Sequence, residues 1–459
     1  MKHLVFAAAC FGVLPLALLL SRSRRWLRAA FVGVVAAMCL WNATSISFFV
    51  EEGYRGTSRG LDVSLAWLAS FVLLLALAFA RRLRGGLLPD AGSRLYLLYA
   101  LLCLPSLAAA ESVRFAVFEL WTMAMLLVFY AAVVNYLRAT DDVRTVLASL
   151  AVFAVVNFLA VVRGHVAGTY QPHGVFPHQN SMAVAMHLFG CLFLAGYLVH
   201  GLRARFGRLC ALAFLCAAAA TARSYSRMAI ALMPLGYGVA YLACVLRARP
   251  RRWVARTVPL ALAGAVALAV MLPRFVERFE TAPKESGSTR VELARCAWEM
   301  IRDEPLRGVG LNNWGLKINP PYEYAERAGR IHDWGEDYRD ALVETVYLLV
   351  AAECGIPALL ALLAWFGWYW ALCVRLLRRL RGRPEAFVPA GLLGGLTAAY
   401  AQSCFEWVFR QPLNLVCLML CFALLSHLDR RGSAARRGAR PAAGPDAARG
   451  ADQAVAARK

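Results

Sequence analysis

Apolar runs of about twenty residues recur along the chain, at about 4–20, 30–50, 61–80, 94–110, 115–137, 145–162, 180–200, 209–222, 228–246, 257–272, 354–374, 388–404 and 412–428. That is the length needed to cross a hydrocarbon core, so each run predicts a membrane helix. The pattern breaks once, between Leu272 and Asp340, where the chain turns polar for more than sixty residues. Within this loop Thr289-Arg-Val-Glu292 reads as a capping box that starts a helix. Val291, Ala294, Trp298 and Ile301 follow at helical spacing, Pro305 stops the helix, and Gly308-Val-Gly310 makes a turn. Long ordered loops in compact proteins tend to be functional, which directs attention to this one.

The fold class that follows is all-α: a polytopic bundle of about 13 transmembrane helices with one large external loop containing short helices. A barrel is excluded, since its alternating segments of about ten residues are absent. Composition agrees. Of 459 residues 60% are hydrophobic and 17% charged, with a mean hydropathy of +0.55.

The formal charge of +22 first suggests a nucleic-acid partner, but its distribution speaks against one. The long loop carries eleven Lys/Arg against thirteen Asp/Glu. The surplus lies in short connections: Arg22-Ser-Arg-Arg, Arg81-Arg-Leu-Arg, Arg203-Ala-Arg, Arg247 to Arg256, Arg375 to Arg383, and the tail after Asp429. Basic connections of this kind mark the cytoplasmic side. By parity the N-terminus and the loop 273–340 are then external and the C-terminus cytoplasmic, with the first span uncleaved. The chain divides into N-terminal spans 1–169, a core 170–365 that includes the loop, C-terminal spans 366–428, and a disordered basic tail 429–459 resting on anionic headgroups. The thirteen cysteines fall almost wholly within spans and read as small membrane-core residues. No metal-ligand spacing or nucleotide fingerprint appears, so no metal or other cofactor is expected.

Four clusters carry candidate chemistry. Arg290 opens the loop helix and Arg295 follows; either can be solvated at the headgroups, and that reading is preferred for Arg295. Thr221-Ala-Arg223-Ser-Tyr-Ser-Arg227 is an external turn with two arginines against the charge rule. Ionisable groups near membrane depth are costly and usually serve a pathway or a partner, and a guanidinium fork suits a phosphate. Snorkelling is the plain alternative; function is favoured for Arg227, while Arg223 is left neutral. Gly174-Val-Phe-Pro-His178-Gln-Asn180-Ser181 enters a span from outside, and these side chains can equally be helix caps. Val343-Glu344 to Glu353-Cys-Gly-Ile-Pro357 is apolar but holds two carboxylates. A desolvated carboxylate suits a general base, whereas Glu344 at the loop's end can instead be in water or paired with a loop arginine.

In order and topology these pieces resemble the O-antigen ligase and polymerase superfamily of bacterial membrane glycosyltransferases, most densely over 170–365. Gly174 to Ser181 is similar to its Gly-x-Phe-x-His-x-Asn segment, Tyr225-Ser-Arg227-Met to its Ser-Arg turn, and Arg290 to Trp298 with Pro305-Leu-Arg-Gly308-Val-Gly310 to its loop helix and Pro-x-x-Gly-x-Gly turn. Glu353-Cys-Gly355 resembles the Glu-x-Gly that opens its next span. The Tyr54-Arg-Gly-Thr-Ser-Arg-Gly60 turn looks like that of exopolysaccharide-associated relatives. One departure stands out: where the ligases present a His-Asn pair, register from Gly355 lands on Glu344 and Thr345, and His332 lies out of register upstream.

The resemblance implies transfer or polymerisation of a polyprenyl-diphosphate-linked glycan onto an acceptor hydroxyl, of a glycan or of a lipid-linked acceptor, at the periplasmic face of the inner membrane. It implies a metal-independent enzyme of cell-surface polysaccharide assembly (O-antigen, lipopolysaccharide or exopolysaccharide). Arg227 and Arg290 would hold the diphosphate, Glu344 or His332 would be the base, and His178, Asn180 and Arg223 are pocket candidates. A transporter of the lipid-linked glycan and a non-catalytic assembly subunit are the alternatives.

Overall fold

The computed structural model describes residues 2–83, 86–246, 256–258, 262, 264, 269, 273, 276, 285–329 and 342–438. His332 and most of the 257–272 run lie outside these residues. The main helices are α1 (Lys2–Ser21), α2 (Arg24–Cys39), α3 (Leu65–Phe79), α4 (Ala91–Cys103), α5 (Val113–Thr140), α6 (Val143–Val166) and α7 (Gln179–His200). They continue as α8 (Arg205–Arg223), α9 (Arg227–Val245), α10 (Glu285–Asp303), α11 (Val346–Arg379), α12 (Phe387–Gln402) and α13 (Pro412–Gly438).

Among the described residues eight helices are long and apolar enough to cross a membrane: α4 with its 3-10 extension to Ala108, α5 to α9, α11 and α13. The apolar parts of α1 and α3, Ala7–Ser21 and Leu65–Phe79, are shorter. The all-α polytopic architecture thus stands, while the described residues do not confirm the count of thirteen spans.

Three local readings change. The run at 30–50 is not one span: α2 ends at Cys39, and Ile46–Phe48 pairs antiparallel with Leu61–Val63 in a two-stranded hairpin. Apolar residues continue through this region, so composition alone could not mark the boundary. The loop helix α10 starts at Glu285, which puts Thr289 inside it rather than at its cap. Its buried stripe is Leu293, Cys296, Ala297, Met300 and Ile301, whereas Val291 and Trp298 are exposed. At the C-terminus α13 continues past Asp429 to Gly438, so the first residues of the expected tail are helical; residues 439–459 lie outside those described.

α7 is the axis of the bundle, buried from Ser181 to Leu198. It packs on α8 and α12, and α12 packs on α9. Small residues permit this: a β-carbon at Gly391 would lie 2.5 Å from the Leu192 Cα, and one at Gly394 would lie 2.3 Å from the Gly236 oxygen. Close backbone approach through small residues is how membrane helices gain packing without a hydrophobic driving force.

α11 is broken at Gly355, whose φ of 82° and ψ of 169° lie outside the helix. The break takes helix partners from nearby backbone groups, and the loop supplies new ones. Val309 and Gly310 N–H donate to the Ala352 and Glu353 carbonyls at 2.8 and 3.0 Å, and Ile356 N–H donates to Pro305 at 2.8 Å. The approach needs glycine on both sides. A β-carbon at Gly308 would stand 2.3 Å from the Glu353 carbonyl carbon, and one at Gly355 2.3 Å from the Leu306 oxygen. The Pro305 to Gly310 turn and the Glu353 to Pro357 break are therefore one joint, which locks the long loop to the membrane helix.

A buried charge cluster lies beside this joint. Arg410 Nη2 donates to Glu353 Oε2 at 2.6 Å, and its Nε stands 3.5 Å from Glu119 Oε1. Glu119 Oε2 also accepts from Ser58 Oγ at 2.6 Å and Thr57 Oγ1 at 3.0 Å. Asn312 joins hairpin and loop: its Oδ1 accepts from Thr57 N–H at 2.9 Å, and its Nδ2 donates to the Ser58 and Phe115 carbonyls at 2.7 and 2.9 Å. The Tyr54 to Gly60 turn is thus a structural buckle on the loop.

Candidate active site

Five separated segments meet in one cleft of about 200 Å³, lined by Gln171, His178, Gln179, Asn180, Tyr225, Ser226, Arg227, Met228, Arg290, Glu344 and Glu406. Helix direction explains the convergence. α7, α9 and α11 begin at this end of the bundle, and α8 and α12 finish there. The basic connections Arg203-Ala-Arg and Arg375 to Arg383 lie at the opposite ends of the same helices.

Each wall is held locally. The segment entering α7 is pinned by Asn157, whose Oδ1 accepts from Val175 N–H at 3.2 Å, and by Asn42, whose Nδ2 donates to the Val175 carbonyl at 2.9 Å. His178 is the N-cap of α7, and its Nδ1 accepts from Asn180 N–H at 3.3 Å. Burial, aided by His173, lowers the His178 pKa and favours the neutral ring that this bond requires.

The arginine turn is fixed by Tyr225, a non-glycine residue at φ 52° that stacks on Tyr170 with centroids 5.9 Å apart. Ser224 Oγ closes the turn by accepting from Ser226 N–H at 3.2 Å. Arg227 then opens α9 and faces the cleft. Arg290 reaches in from α10, Glu344 from the segment before α11, and Glu406 from the connection between α12 and α13. The last two segments are tied together by Val346 N–H donating to the Ser403 carbonyl at 3.2 Å.

The charges are arranged around Arg290. Its Nε forms an ion pair with Glu344 Oε2, and its Nη2 lies 3.8 Å from Glu406 Oε1. Glu344 is part-exposed, while the Glu406 side chain is only 10% exposed. Glu406 Oε1 also accepts from Asn180 Nδ2 at 2.6 Å. Burial pushes Glu406 up to about 7; the Asn180 bond and both arginines oppose this, and Glu344 reinforces it.

Of the residues singled out in the sequence, Arg227, Arg290, Glu344, His178 and Asn180 line this one cleft. Arg223 ends α8 nearby without lining it, and His332 is outside the described residues. Arg295 is exposed, in keeping with a solvated role. Glu353 is in the buried cluster with Arg410 rather than in the cleft. Glu406 escaped the sequence reading. The available signal was a carboxylate in the short connection between two apolar runs, away from the basic connections.

Fold and cleft together define an all-α polytopic membrane protein with a charged site at one end of its bundle. Residues 212–363 match the family model described as O-antigen ligase, which supports the O-antigen ligase and polymerase superfamily and a glycan-transfer role in surface polysaccharide biosynthesis. The matched stretch runs from α8 to α11 and includes the long polar loop. No curated protein matches the chain.

Proposed function

We propose that this protein transfers a polyprenyl-diphosphate-linked glycan onto an acceptor hydroxyl at the periplasmic face of the bacterial inner membrane, without a metal. The observation that carries the reading is the meeting of Arg227 and Arg290 in a cleft that also holds Glu344 and Glu406. Two guanidiniums suit the diphosphate and the charge that grows on it as the glycosidic bond breaks. The N-termini of α7, α9 and α11 lie at the same end, and their dipoles also favour an anion. In the free protein the carboxylates hold Arg290; the arriving diphosphate takes their place on it. One of these carboxylates then accepts the acceptor's proton.

The test is transfer by purified protein in detergent, with lipid-linked glycan donor and acceptor present and no sealed compartment. Alanine at Arg227 or Arg290 is expected to slow transfer by roughly 10²–10³-fold, the usual effect of removing one preorganised donor to developing charge. Wild-type rates in the double variant would overturn the reading. Transport seen only in sealed vesicles, with no product in detergent, would favour a transporter.

A further inference from the structure

We propose that Glu406 is the general base of the transfer, with Asn180 as its positioning residue and Arg290 as the cation that couples it to donor binding. This rests on the glycan-transfer reading above and names the residue that takes the proton.

Glu344 and Glu406 share the cleft but differ in setting. Glu344 is part-exposed, and its Oε2 is held by Arg290 in an ion pair. Glu406 is nearly enclosed, and Arg290 stands off at 3.8 Å. One oxygen, Oε1, is fixed by Asn180 Nδ2 at 2.6 Å; among the described residues Oε2 has no hydrogen-bond partner. A carboxylate with one oxygen anchored and the other open to a cleft is arranged to receive a proton from a hydroxyl. Among the described residues, the other charged or titratable groups lining the cleft are Arg227, Arg290, Glu344, His178 and Tyr225. Burial brings Glu406 to about 7, which gives a base of useful strength near neutrality.

In the step, the acceptor O–H proton passes to Glu406 Oε2 and the freed oxygen pair forms the bond to the anomeric carbon. The bond from that carbon to the diphosphate oxygen breaks, and its pair leaves with the polyprenyl diphosphate between Arg227 and Arg290. The proton on Glu406 is then lost to water. Because the departing diphosphate holds Arg290, the base loses its nearby cation only when donor is bound, so an acceptor proton is removed only in the donor complex.

The test measures single-turnover transfer across neutral pH and affinity for undecaprenyl diphosphate, in wild type, Glu406→Gln, Glu406→Asp and Glu344→Gln. Glu406→Gln is expected to lose about 10²–10⁴-fold in rate, the range of general-base catalysis. Its undecaprenyl diphosphate affinity should not fall, since one fewer carboxylate competes for Arg290, and the rise in rate through pH 7 should vanish; Glu406→Asp should keep that rise at a reduced rate. Glu344→Gln should change diphosphate affinity yet keep the rise. Glu406→Gln retaining both rate and pH rise overturns the proposal, as does the rise vanishing in Glu344→Gln alone. The arginine variants separate the two levels. If they abolish transfer while Glu406→Gln does not, glycan transfer stands and the base is elsewhere.

Discussion

Asn180 Nδ2 donates to Glu406 Oε1 at 2.6 Å, linking the first turn of α7 to the connection before α13. The bond favours the ionised carboxylate against the burial that opposes it. Asn180→Ala should therefore raise the Glu406 pKa further. More of the base is then protonated at neutral pH, and the rising limb of the pH–rate profile should move about one unit alkaline, as expected for losing a bond to a charged group. An unmoved limb would mean that Asn180 does not set the carboxylate.

Folding stability should carry the opposite signature of the same residue. A carboxyl whose folded value is about 7, above its ordinary 4.5, favours the folded state while protonated. That contribution is fully present below the ordinary value and is lost as pH rises through 7. Glu406→Gln should thus unfold at higher temperature than wild type at alkaline pH, by on the order of 2 kcal/mol, with the gap closing in acid. Thermal unfolding in detergent at several pH values reads this directly; equal midpoints throughout would contradict it.

Arg290→Lys keeps a positive charge but not the planar fork that pairs with carboxylate or phosphate. Undecaprenyl diphosphate affinity should fall by roughly tenfold, less than for Arg290→Ala. Affinity in the lysine variant equal to wild type would show that charge alone suffices.

Gly308→Ala and Gly355→Ala each force a β-carbon to within 2.3 Å of backbone at φ values of 69° and 82°. Each should cost about 2–4 kcal/mol from overpacking and left-handed strain. The expected readout is loss of monodisperse protein or a clearly lower unfolding midpoint. A wild-type midpoint for both would mean the loop is not clamped to α11.

Arg410→Ala leaves Glu353 and Glu119 buried without their cation. Breaking a buried pair in this way typically costs 3–5 kcal/mol. The effect should be on stability, since Arg410 does not line the cleft.

Much of this site was readable from the chain because membrane context makes charge conspicuous. Arg227 and Arg290 stood out as cations on the less basic side, and Glu344 as a carboxylate bordering an apolar run. Gly308, Gly310 and Gly355 were visible as turn residues, but not as parts of one joint, because their contact is between distant backbones. Glu406 was hidden for a similar reason. In sequence it sits in the short connection 405–411 between two apolar runs, and its distinction comes from burial and from Asn180, supplied 226 positions earlier. The strands Ile46–Phe48 and Leu61–Val63 read as the ends of two spans because apolar residues run on from them into the neighbouring helices. In α10 the buried stripe follows Leu293 and Cys296 rather than Val291 and Trp298, since the packing partner chooses the face.

The cleft draws one wall from the connection between α12 and α13, the last helices among the described residues. A ribosome feeding this protein into the bilayer from its N-terminus delivers Arg227 and Arg290 long before Glu406. Until the final helix is inserted, the nascent chain holds its arginines beside an unfinished pocket. Any truncation ahead of Glu406 leaves both arginines and Glu344 present and this wall of the cleft missing.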